Sequence, residues 1–284
     1  MIRSILLVLA LCLASTLSHV RAEEGAGLRV LFIGNSLTYY NGVPELVSQI
    51  SRMEARSKYI EVEMLAAAGA TIAQHLATDR LRRHLAEGNF SYVVFQEMGG
   101  WPICPPEFPG CSESVESIET LSELASNANA EPIWYSTYQR IPTLQEALSK
   151  EARQIAGRLG IRLADVGAAW TYYESVAGQD APFKEDGHPN EIGSLIAAAV
   201  IFQAIAGQAN ISDLTLQELC FRKWQGSGLQ KASLASGQQL PEQRCKSIDP
   251  KTYKHVLDAA NKGFNRTPES SGPAKPGEFG GGAG

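Results

Sequence analysis

The feature that most constrains this chain is an alternation. Short apolar, β-rich runs, each stopped by turn or polar residues, are followed by stretches with helical apolar spacing. Arg29–Ile33 (RVLFI) is such a run, and it stops at Gly34-Asn35. A run this short, closed by turn residues, reads as a buried strand. Pro44–Arg56 follows with apolar positions at Leu46, Val47 and Ile50 behind Val43, and with a proline suited to a first helical turn. The pattern then repeats: strand Tyr59–Leu65, helix Thr71–Leu85, strand Ser91–Phe95, helix Ser112–Ala128, strand Pro132–Ser136, helix Thr143–Leu159, short strand Ile161–Ala164. Asn190–Ala206 is a long, alanine-rich apolar helix, and Ile248–Phe264 supplies a closing one.

Strands alternating with helices predict an α/β fold with a mostly parallel, doubly wound sheet between two helical layers. In such sheets ligands bind beyond the carboxyl ends of the strands. The conspicuous polar or small residues fall there: Ser36 after the first strand, Gly69 after the second and Gln96 after the third.

The ends of the chain read differently. Arg3, the apolar run Ile5–Leu17 and Val20-Arg21-Ala22 have the layout of a secretory signal, so residues 1–22 are expected to be removed on export to a secreted or periplasmic location. The apolar run is shorter than the roughly 20 residues a membrane span needs, and no later segment is a candidate, so no stable membrane span is expected after cleavage. Residues 23–265 then form one globular domain, and the Gly/Pro-rich residues 266–284 (from TPESSGPAKPG onward) lack the composition for a core. Removing Arg3 and Arg21 from 25 basic residues leaves 23 against 30 acids, without a basic cluster, which excludes nucleic acid as a natural partner. Cys104, Cys111, Cys220 and Cys245 remain, an even number that in an exported chain favours disulfides over a metal site. Of the three pairings, Cys104–Cys111 with Cys220–Cys245 demands the least rearrangement of the chain. No CxxC or HExxH spacing calls for a metal, and no cofactor is implied.

The chemistry rests on two places. Gly34-Asn35-Ser36 sets a serine in a tight turn directly after a buried strand, where its hydroxyl is exposed at the sheet edge. A serine hydroxyl needs a base before it is a useful nucleophile. Glu185-Asp186-Gly187-His188-Pro189-Asn190 offers a histidine beside two carboxylates at the mouth of the long apolar helix. His75, His84 and His255 fall within helices and read as packing or surface residues. Trp101 and Tyr39 (with Tyr40 and Phe108) are aromatic residues near the same edge that either contact substrate or pack beneath their loops.

Three blocks, Ile33-Gly34-Asn35-Ser36-Leu37, Ala68-Gly69-Ala70 and Asp186-Gly187-His188-Pro189-Asn190, resemble signature blocks of the SGNH (GDSL-like) hydrolases, in order over roughly residues 29–206. The resemblance implies a flavodoxin-like α/β/α fold and ester hydrolysis through an acyl-enzyme. Ser36 would be the nucleophile and His188 its base, with the amides of Ser36 and Gly69 as oxyanion donors. Two departures stand out. The family's Gly-x-Asn-Asp block is replaced by Phe95-Gln96-Glu97-Met98, so the Gln96 amide is expected to supply the third oxyanion donor. The family's acid stands three residues before the histidine. That is Glu185 here, whereas Asp186, two before, has the family acid's shorter stem, and either can orient the ring. The expected substrate is an acyl or acetyl ester on a small molecule, a polysaccharide or a lipid. A catalytically weak protein that kept the fold for binding is the alternative. A nucleotide-binding α/β protein is disfavoured because neither GxGxxG nor GxxxxGK[ST] follows the first strand.

Overall fold

The computed structural model describes residues 27–264, apart from 55–56, 104–108, 179–180, 208–210, 212–217, 223–229 and 234–241. The expected signal segment and the Gly/Pro-rich tail therefore lie outside the described residues, as does Cys104.

The parallel strands are β1 (Leu28–Gly34), β2 (Ile60–Ala66), β3 (Tyr92–Gln96), β4 (Glu131–Ser136) and β5 (Arg162–Asp165). They lie in the order β5-β4-β3-β1-β2, and a short strand, Gln230–Ser233, adds antiparallel to β2 at the edge. All four pairings among the first five strands are parallel. This is the flavodoxin-like order, whose direction of winding reverses between β1 and β3. The chain is thus a three-layer α/β/α sandwich, as the alternation predicts.

Residues alternate across the pleat and feed two cores. Val30 and Phe32 of β1 face one layer, and Leu31 and Ile33 face the other. The helices, in chain order, are α1 (Ser36–Tyr39), α2 (Val43–Met53), α3 (Ile72–Leu76), α4 (Asp79–Gly88), α5 (Ser114–Asn127), α6 (Pro142–Leu159), α7 (Val166–Ala177), α8 (Glu191–Ala206) and α9 (Pro250–Phe264). Helices α2, α7, α8 and α9 contribute to the first core, and α3 to α6 to the second. Every residue of α8 from Gly193 to Ile205 is buried, which accounts for a sequence apolar on all sides rather than along one stripe.

Three details differ from the sequence expectation. The stretch 71–85 is two helices, because Thr78 adopts an extended backbone and its hydroxyl donates to His75 O at 2.7 Å. That local bond competes with the helical ladder. Helix α7 has no counterpart in the expected elements, although Val166, Ala169, Trp170 and Tyr173 follow helical spacing and the Asp165 carboxylate caps its first turn at Ala168 N. Lastly, the region after 207 forms a two-stranded antiparallel ribbon, β6 (Leu219–Arg222) and β8 (Gln243–Lys246), with Gln230–Ser233 as β7. Cys220 and Cys245 sit directly opposite in that ribbon and form the expected disulfide. The ribbon docks on α2 through Gln49, whose amide both accepts from Cys220 N (2.8 Å) and donates to Cys220 O (2.9 Å). Cys111 is buried and disulfide-bonded. Among the described residues no helix is long and apolar enough to cross a membrane.

Candidate active site

The carboxyl ends of β1, β2 and β3 meet beneath a cleft of about 1120 Å³. Ser36, Gly69 and His188 line it from the sheet side, and Phe221, Arg222 and Arg244 of the ribbon form the facing wall. The ribbon's part in this wall was not visible in the sequence beyond its cysteines.

Ser36 opens α1 immediately after the Asn35 cap, whose side-chain oxygen accepts from Leu37 N at 3.0 Å. The turn is tight because Gly34 lacks a side chain. A Cβ there would stand 2.3 Å from Thr38 Oγ1 and 2.8 Å from Gln96 Oε1. His188 reaches the turn from the loop before α8, with Nε2 3.0 Å from Ser36 Oγ. With the other ring nitrogen protonated, Nε2 accepts the serine proton, which is the geometry a hydroxyl nucleophile requires.

Of the two acids, the structure brings only Asp186 to the ring. Its Oδ2 lies 3.3 Å from His188 Nδ1, and its Oδ1 accepts from His188 N at 3.0 Å. The Nδ1 contact has ion-pair distance but not hydrogen-bond alignment, since Nδ1 has no hydrogen-bonded partner. Catalytic hydrogen bonds are commonly loose before substrate binds. The backbone N–H of His188, and secondarily its ring, holds the Asp186 carboxyl below the usual range although it is well exposed. Glu185 points away into solvent and is tied to Arg140 Nη1 only through its carbonyl, at 3.1 Å.

The histidine loop is fixed at both ends. Asn190 caps α8 through Gly193 N (2.9 Å) and donates to Ala181 O (2.7 Å), while Lys184 N donates to His188 O at 2.8 Å. Asn41 donates to Pro189 O (3.1 Å) and Ser194 Oγ (2.9 Å), which ties the segment after the nucleophile to the histidine loop. Tyr40 stacks on the His188 ring at 4.2 Å with planes 15° apart, and Lys184 Nζ lies 5.1 Å from the centre of the same tyrosine ring. Tyr40 is the aromatic residue in contact with the base. Tyr39 lines the cleft but is buried, and burial raises its phenol pKa.

Gly69 lies exposed at the cleft with φ +64°, a conformation open to glycine at no steric cost, in the loop between β2 and α3. Two expected site residues are elsewhere. Trp101 packs over Gly110 within its own loop and does not line the cleft, and Phe108 lies outside the described residues. Gln96 is buried beneath the turn rather than facing the cleft. Its Oε1 accepts from Asn35 N (3.2 Å) and Thr38 Oγ1 (2.8 Å), and its Nε2 donates to Glu97 O. Since Asn35 N–H must meet an oxygen, this amide orientation is fixed. The expectation that Gln96 is an oxyanion donor is therefore corrected: its nitrogen is directed at Glu97, and its oxygen carries the turn.

Glu97, which the sequence reading left without a role, is also buried. Its carboxylate accepts from Ile72 N (3.2 Å) and Met98 N (2.7 Å), and desolvation pushes its pKa up to about 7 despite those bonds. Among the described residues no three His, Cys, Asp or Glu side chains converge as metal ligands.

No family model and no curated protein sequence matches this chain. Solved structures do. A protein of Slackia heliotrinireducens assigned to the SGNH hydrolases is 28% identical with a TM-score of 0.53, over 64% of this chain and 100% of that one. A catalytic mutant of Axe2, an acetylxylan esterase from Geobacillus stearothermophilus, is 17% identical with a TM-score of 0.52, over 65% and 96%. LAE5, an alpha/beta hydrolase enzyme from the metagenome of Lake Arreo, is 19% identical with a TM-score of 0.51, over 64% and 96%. The last two identities bear on the fold alone.

Proposed function

We propose that this chain, which shares the fold of an SGNH hydrolase structure and resembles that family in its ordered blocks, is a serine esterase. In this reading Ser36 is the nucleophile, His188 the base and Asp186 the orienting acid. The single observation that carries the proposal is the 3.0 Å contact between His188 Nε2 and Ser36 Oγ, made between residues 152 positions apart in sequence. His188 takes the Ser36 proton as Oγ attacks the ester carbonyl, and the Ser36 and Gly69 amides face the developing oxyanion. Collapse of the tetrahedral intermediate expels the alcohol, which takes the proton from His188, and water then releases the acid by the same steps in reverse.

The alcohol part of the substrate is polar in this reading, a carbohydrate rather than a lipid. The cleft presents Lys184, Gln243, Arg222 and Arg244 beside the aromatic rings of Tyr39, Tyr40 and Phe221, a mixture of hydrogen-bonding groups and flat apolar faces that suits the hydroxyls and ring faces of a sugar. Export through residues 1–22 belongs to the same proposal. The test is to treat the purified mature chain with a fluorophosphonate and to assay hydrolysis of p-nitrophenyl acetate and an acetylated oligosaccharide. Covalent modification of Ser36 together with acetate release supports the reading, and a chain that does neither is the binding protein of the alternative.

A further inference from the structure

We infer that Gln96 and Glu97 act as a pair of positioning residues, each holding one of the two loops that carry the oxyanion amides. The inference rests on the esterase reading for its catalytic meaning and on the hydrogen bonds alone for its geometry.

Both side chains are about 1% exposed. Buried polar groups of this kind are paired almost without exception, because an unpaired one forfeits its bonds to water without replacement. Their partners are therefore fixed parts of the fold. Gln96 Oε1 bonds the N–H of Asn35, the residue before the nucleophile, and the hydroxyl of Thr38, two residues after it. Ser36 and its amide are thereby set from below. Glu97 bonds the N–H of Ile72 at the first turn of α3, three residues beyond Gly69. Thr71 and Gln74 close the same turn through a capping box.

The two loops are also joined to each other. Asn35 Nδ2 donates to Ala70 O at 2.9 Å, Ala67 N donates to Gly34 O at 3.2 Å, and His75 Nε2, on α3, lies 2.8 Å from Gly34 O. Gln96 Nε2 donates to Glu97 O and so couples the two arms at their root. An oxyanion donor works only when it stands about 2.7–3.1 Å from the oxygen it will meet, and a displacement of about 1 Å costs on the order of 10²-fold. The pair acts on rate through the amides of Ser36 and Gly69, without touching substrate.

The test uses the full mature chain with Gln96→Met and Glu97→Met, which keep bulk and remove the acceptors, and Glu97→Gln, which restores one. Two measurements are made at equal folded fraction. The first is kcat and KM on p-nitrophenyl acetate. The second is amide hydrogen exchange over residues 34–38 and 67–72, with α6 as internal reference. Each methionine variant is expected to lower kcat by about 10–100-fold with KM within about threefold. Exchange should accelerate in 34–38 for Gln96→Met and in 67–72 for Glu97→Met, and Glu97→Gln should recover most of both effects. A kcat within about twofold of wild type, or exchange raised equally in α6, overturns the inference, since both describe a residue that only stabilises the fold. If the wild type neither hydrolyses ester nor is labelled at Ser36, the esterase reading falls. Localised exchange then still supports the brace, and uniform exchange overturns it.

Discussion

Replacing Glu97 with glutamine removes an ionisation that the fold resists. Burial pushes the Glu97 carboxyl up to about 7, against an ordinary value of 4.5. Between those two values the folded chain holds a proton that the unfolded chain has given up. Unfolding therefore releases that proton, and stability falls as pH rises. The contribution is fully present below pH 4.5 and lost as pH passes through 7. With those values, the loss between pH 5 and pH 8 is about 2–3 kcal/mol. For a chain of this size that corresponds to roughly 5–10 °C in melting temperature.

Glu97→Gln carries no such ionisation. At pH 5 the folded wild type holds Glu97 neutral, with one carbonyl acceptor as in glutamine, so the two proteins are expected to lie within about 1 kcal/mol of each other there. The readout is the change in that difference with pH. Thermal melts of both proteins from pH 5 to 8 should show wild type losing about 2–3 kcal/mol relative to the variant, enough to make the variant the more stable of the two at pH 8. His75, whose pKa burial lowers, works in the opposite direction and is common to both proteins, so it cancels in the difference. Parallel stability curves across this range would refute the reasoning and mean that Glu97 is ionised throughout.

Ser36→Ala should abolish ester hydrolysis, by about 10⁶-fold in kcat, with an unchanged melt, because only the attacking oxygen is removed. Asp186→Asn should lower kcat by at least about 10²-fold while Glu185→Gln stays within about twofold, and steady-state kinetics on the two variants decide which carboxylate orients His188. Tyr40→Ala should reduce kcat by about 2–10-fold with KM little changed, and Tyr40→Phe should restore it, since the face stacked on His188 survives in phenylalanine. Breaking the ribbon disulfide with Cys220→Ser should cost about 3 kcal/mol, from the loop of 25 residues it closes. A denaturation midpoint equal to wild type would mean that the ribbon holds to α2 without it.

The sheet was legible because its information is local. A buried parallel strand announces itself by a short apolar run and an abrupt stop, and each of the five runs lies within a residue or so of an observed strand. Ser36 and His188, which the structure brings within 3.0 Å of each other, stand out in the sequence for a related reason: each sits where a strand or helix ends and where packing alone would not ask for a serine turn or an acid-flanked histidine. What the sequence hid depends on pairing across distance. That Asp186 rather than Glu185 lies beside the His188 ring follows from loop geometry, in which the Asp186 side chain folds back on His188 N while Glu185 turns to solvent. The stack of Tyr40 on His188 joins residues that only the fold brings together. The ribbon wall was hidden because four-residue strands with mixed burial carry little periodic signal.

Gln96 shows why a side chain's chemistry does not fix its task. An amide at the end of β3 has both a donor and an acceptor, and the sequence argument used the donor because the resembled block uses one there. In the structure the neighbouring groups decide. Asn35 N and Thr38 Oγ1 both present hydrogens, so the oxygen must face them, and the nitrogen is left to meet Glu97 O. The extra methylene of glutamine over asparagine lets the oxygen reach under the turn. Both side chains are a carbon longer than the Asn-Asp pair of the resembled block, and both are engaged with backbone amides beside the cleft instead of reaching into it.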